Sequence, residues 1–405
     1  MTSYLDADLP QLFPGMSPDS GGDRALFADA RAHSPIAKGV FGPLVLSHRD
    51  VVDLLRDRRL RGPGMDFARL TGIPEGSRAW LRQEQILLFM EGDDHHRLRR
   101  LVQKAFTPKA VEALRPLTRT VFRDLLDAVQ ADGRCDAVAA WCDPFPIPVI
   151  CALVGVEADR WQDMSRWASS ILLSLRLDAG THLAEIEQAQ AELDEFIEEL
   201  IAARRAAPRD DLLSNLIAVE EEGDHLSTSE LLSVVAMMLV AGTDTTRNQL
   251  SNIVHTFATH PDQWALLREQ PDLVAGAVEE AIRWEPATEG LPRVALEDIE
   301  IGGHLVPAGT LVVLMSMSAN HDTEALPGAD TFDITRTAPD GWHLLTFGGG
   351  IHYCLGASLA RLELTEAVAE LSSRCATLSL DGDPLRNPPG SAIGGYQSLP
   401  VRWTT

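Results

Sequence analysis

The sequence has few of the features that mark a disulfide-stapled, metal-caged or membrane-spanning protein. Its 405 residues include only five cysteines, an odd number, and no two of them form a CxxC pair. A disulfide framework or a zinc cage is therefore not expected, and the cysteine usage fits a reducing cytosol. The longest apolar run, roughly a dozen residues ending at Ala241, is shorter than the ~18 to 20 that a membrane-spanning helix needs.

Positive charge is also scarce. Thirty-five Lys and Arg residues stand against 59 Asp and Glu residues, which gives a formal net charge of -24 at pH 7. Such a field repels nucleic acid and anionic membrane surfaces. No positively charged N-terminal segment leads into an apolar one, so no secretory signal is expected. We therefore expect a cytoplasmic protein that binds neither nucleic acid nor membrane.

Helical periodicity dominates the chain, and segments with the pattern of a strand are few and short. Apolar residues recur at spacings of three and four in segments of about 97–130, 159–178, 181–207, 227–258 and 355–374. Short strands are predicted at 42–47, 299–301, 311–314 and 399–403, and an ordered irregular loop at 320–350. Repeats, low-complexity tracts and linkers are lacking. One mainly α domain with small β-sheets, spanning residues 1–405 and acting as a monomer, is expected.

One predicted helix is unusual in both length and composition. Ser227 and Glu230 are the two ends of a capping box, which begins a helix by satisfying its free amides. No stop signal follows before Pro261, and the first half is apolar on all sides, so this helix should cross the centre of the protein. Inside it, AGTDTT at 241–246 is a run of poor helix formers. Function, rather than stability, is expected to explain that run.

The sharpest chemical signal is the segment FGGGIHYCLG at 347–356. Glycines on both sides of Cys354 let the backbone approach a flat ligand and leave amides free to face a thiolate. A helix-favouring segment begins at Ala357, and a helix N-terminus there stabilises a thiolate. A buried structural cysteine in a glycine-rich turn is the plain alternative for a lone cysteine, and it does not explain the whole pattern.

This segment closely resembles the haem-binding signature of the cytochromes P450. The positions of that signature are matched by Phe347, Gly350, His352, Cys354 and Gly356. The resemblance implies the mainly α cytochrome P450 fold, in which haem b (iron protoporphyrin IX) lies between the long central helix and the cysteine loop. It further implies that Cys354 is the ligand of the iron.

The resemblance also implies four partners for the haem propionates. His95 and Arg99 fit a His-x-x-x-Arg pattern on one helix face, Arg293 fits the sheet arginine, and His352 precedes the ligand by two residues. Buried propionates require cationic or hydrogen-bond-donating groups. A solvated His95 is the alternative, and His96 competes with it, although the Arg-Leu-Arg-Arg that follows favours His95.

In the long helix, Ala241, Asp244 and Thr245 match the oxygen-activation motif of the same family. The resemblance implies that Ala241 lines the haem, that Thr245 donates a hydrogen bond to bound oxygen, and that Asp244 relays protons from solvent. A threonine-rich helical defect without a role is the alternative. The predicted substrate pocket, which shares this face, is lined by Met237, Val240, Ala241, Glu289 and Leu291.

Glu289 carries a more specific hypothesis. Resemblance places it on the pocket wall, where an unpaired carboxylate is costly, so the substrate is predicted to carry a basic or amide nitrogen. The alternatives are that Glu289 faces solvent or pairs with Arg293. Elsewhere, Glu280, Arg283 and Arg336 match a three-membered ionic cluster that the resemblance marks as structural rather than catalytic.

The implied reaction inserts one oxygen atom of O2 into a C–H or C=C bond of a small molecule, often a specialised metabolite. Electrons would come from NAD(P)H through a separate reductase and ferredoxin, because no flavin or nicotinamide domain is present. The predicted docking surface for an acidic ferredoxin consists of Arg97, Arg100 and Lys104, with Lys109 and Arg361 nearby. Substrate-binding elements are expected at 60–90 and 165–185. Oxidative coupling or desaturation, and a non-catalytic partner protein of the same fold, are the alternatives.

Overall fold

The computed structural model describes residues 2–12, 20–157, 159–221, 226–388 and 390–405. Its helices, in chain order, are α1 (Ser20–His33), α2 (His48–Leu54), α3 (Gly64–Leu70), α4 (Arg78–Glu84), α5 (Gly92–Val102), α6 (Pro108–Ala113), α7 (Arg115–Val129), α8 (Pro146–Val154), α9 (Trp161–Leu172), α10 (Leu183–Ala206), α11 (Leu212–Glu221), α12 (Thr228–Thr259), α13 (Pro261–Glu269), α14 (Val274–Trp284), α15 (Ser316–Asn320) and α16 (Ala357–Arg374).

The strands are short and form small sheets. They are β1 (Ile36–Lys38), β2 (Pro43–Val45), β3 (Leu60–Arg61), β4 (Arg134–Asp136), β5 (Leu291–Ala295), β6 (Ile299–Ile301), β7 (His304–Val306), β8 (Leu311–Leu314), β9 (Thr377–Leu380), β10 (Leu385–Arg386), β11 (Tyr396–Ser398) and β12 (Pro400–Thr404). The largest sheet has the order β1-β2-β8-β5-β3, with β2 and β8 parallel and the other neighbours antiparallel. A three-stranded sheet, β4-β12-β9, and the pairs β6-β7 and β10-β11 complete the set.

Helix α12 crosses the protein centre, as its sequence predicts. Its 32 residues begin after the capping box of Ser227 and Glu230, both of whose hydrogen bonds are present. The N-terminal half packs into one hydrophobic core through residues such as Val235 and Leu239, and the C-terminal half packs into a second core through residues such as Val254 and Phe257. The polar run 241–249 lies between these two cores.

The predicted helical segment 97–130 is not continuous, and prolines are the reason. After α5 and a 3-10 turn, Thr107 caps a new helix by accepting from the Ala110 amide, and Pro108 occupies its first turn. A further break precedes Pro116, in the first turn of α7. Proline has no amide hydrogen to continue a helix but fits a first turn. The predicted helix at 159–178 is also too long, because α9 ends at Leu172.

The four predicted strands are present, and the loop predicted at 320–350 contains no helix or strand between α15 and a 3-10 turn at Gly350–His352. Strand β5 was not predicted, because Pro292 and Arg293 interrupt its apolar pattern; it nevertheless pairs with β8 along four residues. Within the part of the chain that the structure describes, no helix is long and apolar enough to cross a membrane.

Candidate active site

The segment around Cys354 forms a closed loop directly before α16. The Cys354 amide donates to the Phe347 carbonyl at 2.9 Å, and the Tyr353 amide donates to the Gly350 carbonyl at 3.2 Å. Gly350 has a φ of 63°, and a side chain there would overlap the carbonyl oxygen of Leu55. This glycine is therefore required by the turn and by the close approach of α2. The loop backbone leaves the amides of the next turn free for the cysteine sulfur.

The Cys354 thiol lies in an electropositive environment. Burial raises its pKa, and the backbone amides of Gly356 and Ala357 and the guanidinium group of Arg99 oppose that effect. Arg99 also donates to the Tyr353 carbonyl at 2.6 Å, which ties α5 to the loop. The cysteine borders a cleft of about 240 Å³ that Arg99 and Phe106 also line. These amides and cations suit a bound thiolate better than a free thiol.

Next to this loop lies a group of buried donors without anions. His95 is 0% exposed, and neither of its ring nitrogens has a hydrogen-bond partner among the described residues. Burial, with the charges of His352 and Arg99, lowers the pKa of His95 to about 4. Arg293 is buried as well and donates to the Pro292 carbonyl at 2.8 Å, without an ion-pair partner in the described ranges.

The arrangement of these donors fits a cofactor that carries carboxylates. The rings of His95 and His352 lie 4.8 Å apart, and His352 Nε2 lies 3.0 Å from Glu91 Oε1. An unpaired buried donor costs free energy, and a buried anion would satisfy it. Of the four donors predicted from sequence, His95 and Arg293 are thus buried without an ion-pair partner among the described residues. The other two are already engaged, Arg99 with the Tyr353 carbonyl and His352 with Glu91.

One face of α12 stays accessible in the middle of this largely buried helix. Ala241 is exposed although most of its neighbours on the helix are buried, and Met237 and Thr245, one turn away on either side, are partly exposed. Val240 is buried. Thr245 Oγ1 donates to the Ala241 carbonyl at 2.7 Å, so its hydroxyl oxygen is held at the surface of the helix on this accessible face.

Gly242 does not belong to that face. A Cβ atom there would lie 2.8 Å from Ile150 Cγ1 of α8. The glycine allows α8 to pack closely against α12, so of the two small residues in the motif Ala241 is the one that lies on the accessible face.

Asp244, the residue before Thr245, is buried. Its carboxylate lies 3.2 Å from Asn248 Nδ2, 3.4 Å from Ser169 Oγ and 3.7 Å from Arg247 Nη1. Burial raises the pKa of Asp244, against the opposing charge of Arg247. A carboxyl group with a raised pKa holds its proton more readily than an ordinary aspartate, which suits proton relay.

The sequence did not point to Glu363, a buried carboxyl group on α16. It is 1% exposed, and its Oε2 accepts from Thr246 Oγ1 at 3.4 Å. Its Oε1 has no hydrogen-bond partner among the described residues, and burial raises the pKa of Glu363 well above its usual range. The available signal was its spacing of four residues from Leu359 and from Ala367, both of which are buried on the same helix.

The predicted ionic cluster is assembled by the fold. Arg283 donates to both Glu280 oxygens at 2.7 Å, and Arg336 Nε lies 3.2 Å from each of them. Arg283 also donates to the carbonyls of Asn320 and Ala329. The cluster therefore anchors α14 to the irregular segment that leads to the cysteine loop, as a structural role requires.

Comparison with known proteins identifies the family of this chain. The family described as Cytochrome P450 matches residues 60–391. The chain belongs to the cytochrome P450 family. It is 36% identical over 407 residues to the luteothin monooxygenase of Streptomyces thioluteus, covering 98% of this chain and 97% of that protein. It is 37% identical to the mycinamicin IV hydroxylase/epoxidase of Micromonospora griseorubida, covering 89% of each.

Solved structures agree with this assignment. CalO2 superposes with a TM-score of 0.91 at 30% identity, covering 98% of this chain and 99% of that one. P450BioI, solved in complex with an acyl carrier protein ligated to hexadec-9Z-enoic acid, superposes with a TM-score of 0.85 at 33% identity, covering 96% and 100%. The predicted family, fold and enzyme class are confirmed: the protein is a cytochrome P450 monooxygenase, which implies haem iron and O2.

Two further predicted pocket residues of this cytochrome P450 lie apart from α12. Leu291 on β5 is partly exposed, and its methyl groups approach Gly348 of the cysteine loop. Glu289 is half-buried, and its Oε1 lies 3.0 Å from the point that a Cβ atom would occupy if Gly394 carried a side chain. Glu289, which precedes β5, therefore faces the loop between β10 and β11.

The predicted basic surface is only partly available in this cytochrome P450. Arg97 forms ion pairs with Asp94 and with Glu230 at the start of α12. Arg361 pairs with Glu279 and lies 4.4 Å above the Phe347 ring. Both guanidinium groups are thus occupied within the protein, whereas Arg100, Lys104 and Lys109 are exposed.

Proposed function

We propose that this enzyme inserts one oxygen atom of O2 into a C–H or C=C bond of a bacterial specialised metabolite. The observation that carries the proposal is the set of buried donors without anions, His95 and Arg293, beside the Cys354 loop. Relatives named for luteothin, mycinamicin IV and 6-deoxyerythronolide B support a substrate of this class. Residues 1–405 are proposed to form one domain that works as a monomer in the cytoplasm.

We propose that the chain's own residues hold the haem in a defined way. The sulfur of Cys354 would bind iron, and the propionates would pair with His95, Arg99, Arg293 and His352. Phe347, Gly350, Gly356 and Ala241 would pack against the ring. When bound, the haem supplies the oxidising chemistry. With an anion beside it, His95 would have a higher pKa than the value of about 4 that burial gives it now.

Thr245 and Asp244 are proposed as the catalytic proton-handling residues. The Thr245 hydroxyl lies on the accessible face of α12, and its hydrogen, which now goes to the Ala241 carbonyl, can be donated to a bound ligand instead. Asp244 lies one residue earlier and faces Ser169 and Arg247. Its raised pKa lets it carry a proton at a pH where an ordinary aspartate does not. We propose that protons reach Thr245 through Asp244.

Electrons are proposed to come from NAD(P)H through a separate reductase and a ferredoxin. Arg100 and Lys104 are exposed on and just after α5, the helix that also carries Arg99 beside the Cys354 cleft. Positive charge there would attract an acidic partner. Lys109 extends this surface, and Arg97 would contribute less because it is paired with Glu230.

We retain the proposal that Glu289 recognises a basic or amide nitrogen of the substrate. Its support is that Glu289 is half-buried against the loop at Gly394, on the border of the predicted pocket. Equal losses of affinity in Glu289→Gln for a nitrogen-bearing ligand and a neutral analogue would count against it.

The test of the proposed function has two parts. Reduced protein with CO should show the red-shifted Soret band of thiolate ligation, and Cys354→Ser should lose it while Cys375→Ser, a buried cysteine at the end of α16, should keep it. A normal band in Cys354→Ser would contradict the site. Product mass after turnover then separates oxygen insertion from coupling or desaturation, since insertion adds one oxygen and the alternatives remove hydrogen.

A further inference from the structure

Asn248 joins the central helix to the loop between β10 and β11. It lies one turn after Asp244 and is 1% exposed. Its Nδ2 donates to the Asp244 carbonyl at 2.8 Å and lies 3.2 Å from Asp244 Oδ2. Its Oδ1 accepts from Asn387 Nδ2 at 2.9 Å. Arg247 Nη1 also donates to Oδ1, at the longer distance of 3.4 Å. The amide therefore has one orientation, with its donor end toward Asp244 and its acceptor end toward Asn387 and Arg247.

Asn387 fixes the base of that loop. Its Nδ2 also donates to the Ile393 carbonyl at 3.1 Å, and its backbone amide donates to the Gly395 carbonyl at 2.9 Å. Gly395 packs so tightly on α12 that a Cβ atom there would overlap Asn248 Oδ1. A displacement of either arm of the loop therefore acts directly on the Asn248 amide.

The same loop contacts two segments that border the predicted substrate pocket. The Gly394 amide donates to the Ala287 carbonyl at 2.7 Å, just before the segment of Glu289. Arg176, within the predicted element 165–185, lies 3.4 Å from Ser391 Oγ. A ligand that shifts either segment would therefore shift the loop.

The Asp244 carboxylate has several side-chain donors nearby, and Asn248 is the nearest of those named here. Ser169 Oγ on α9 lies 3.4 Å away and Arg247 Nη1 on α12 lies 3.7 Å away, against 3.2 Å for Asn248 Nδ2. Asp143, before α8, approaches it through its ion pair with Arg247. A hydrogen bond to the charged form favours that form, so the position of the Asn248 donor affects whether the carboxylate is charged.

We propose that Asn248 is a positioning residue that transmits the position of the β10–β11 loop to the Asp244 carboxylate. This rests on the proposed role of Asp244 in proton transfer. A loop that holds Asn387 in place keeps the Asn248 donor on Asp244 and favours the charged carboxylate. A displaced loop releases the Asn248 amide, and Asp244 then keeps its proton. Substrate contact with the loop thereby sets the protonation state of the relay.

The test replaces the partner of Asn248 without touching the helix. Asn387→Leu removes the nearer of the two donors that orient the amide and leaves the longer contact from Arg247. Asn387→Asp presents an acceptor instead, so the Asn248 amide turns and gives its donor to the new carboxylate. Both variants should shift the Asp244 titration upward, and the Asp variant should shift it further. The measurement is an infrared pH titration of the ferric holoenzyme, with the Asp244 band identified by its loss in Asp244→Asn.

The matched control is the same pair of changes in an Asn248→Ala background. There the shift from Asn387→Leu should disappear, and that from Asn387→Asp should fall to the direct repulsion between two carboxylates. The proposal is overturned if Asn387→Leu leaves the Asp244 band unmoved, or moves it equally with and without Asn248. The proposed role of Asp244 in proton transfer is tested separately, by the peroxide released per NADH in Asp244→Asn. An unchanged peroxide yield would contradict that role, and it would leave the infrared result on the Asn248 contact as it stands.

Discussion

At the scale of single residues, Glu363 makes a prediction about pH. Burial raises its pKa, so the folded protein binds a proton that the unfolded chain has lost above the ordinary value of about 4.5. The stability that the folded protein gains from this proton is fully present below the ordinary pKa, and it is lost as the pH rises toward the pKa of Glu363 in the folded protein. Glu363→Gln should therefore gain stability relative to the native protein as the pH increases. Denaturant unfolding at pH about 5 and about 8 measures this, and a constant difference would contradict it.

Thr245 makes a prediction about electron use. Thr245→Ala loses one methyl group and a hydroxyl group whose hydrogen bond in the structure goes to its own helix, so haem content and ligand binding should persist. We expect reducing equivalents to be diverted to peroxide, because the hydroxyl donor on the accessible face of α12 is gone. The measurement is the peroxide formed per NADH consumed. The control is Thr243→Ala, because the buried Thr243 hydroxyl donates to the Leu239 carbonyl in the same way. Equal yields in both variants would remove the assigned role of Thr245.

At the scale of elements, Gly242 allows a prediction about how much extra volume the contact between α8 and α12 can accommodate. Gly242→Ala places a methyl group against Ile150, at 2.8 Å, and overpacking of this kind costs about 1–3 kcal/mol. The loss outweighs the higher helix propensity of alanine, so the melting temperature should fall. Ile150→Val in the same chain should restore part of it. A stabilised Gly242→Ala variant would show that α8 can move away freely.

The elements also show where prediction from sequence succeeds and fails. The capping box of Ser227 and the pattern around Cys354 are local, so residues near each other in the chain were sufficient to predict the helix start and the loop. The function of Gly242 depends on Ile150, and that of Glu363 on Thr246, partners that are far away in the chain. Likewise, nothing in the sequence around Arg97 shows that Glu230 neutralises it. Distant packing and distant charge were the parts that local patterns could not predict.

At the scale of the whole molecule, the net charge of -24 makes the exposed cations of α5 and the following turn prominent. Charge reversal of Arg100 and Lys104 should raise the apparent KM for ferredoxin, most strongly at low salt, and leave substrate affinity unchanged. Arg97→Glu should instead lower stability, because it leaves Glu230 beside another carboxylate. Unchanged reduction rates at low salt in the Arg100 and Lys104 variants would place the docking surface elsewhere.

The division of α12 between two hydrophobic cores has a consequence for the motion of the molecule. The polar stretch 241–249 contributes no side chain to either apolar core. Much of its contact with the rest of the protein is made by hydrogen bonds, such as those of Thr246 with Glu363 and of Asn248 with Asn387. In hydrogen–deuterium exchange this stretch should exchange earlier than the apolar turns on either side, although most of its residues are buried. Apolar packing thus holds the two ends of α12, and hydrogen bonds hold the stretch between them that carries Asp244 and Thr245.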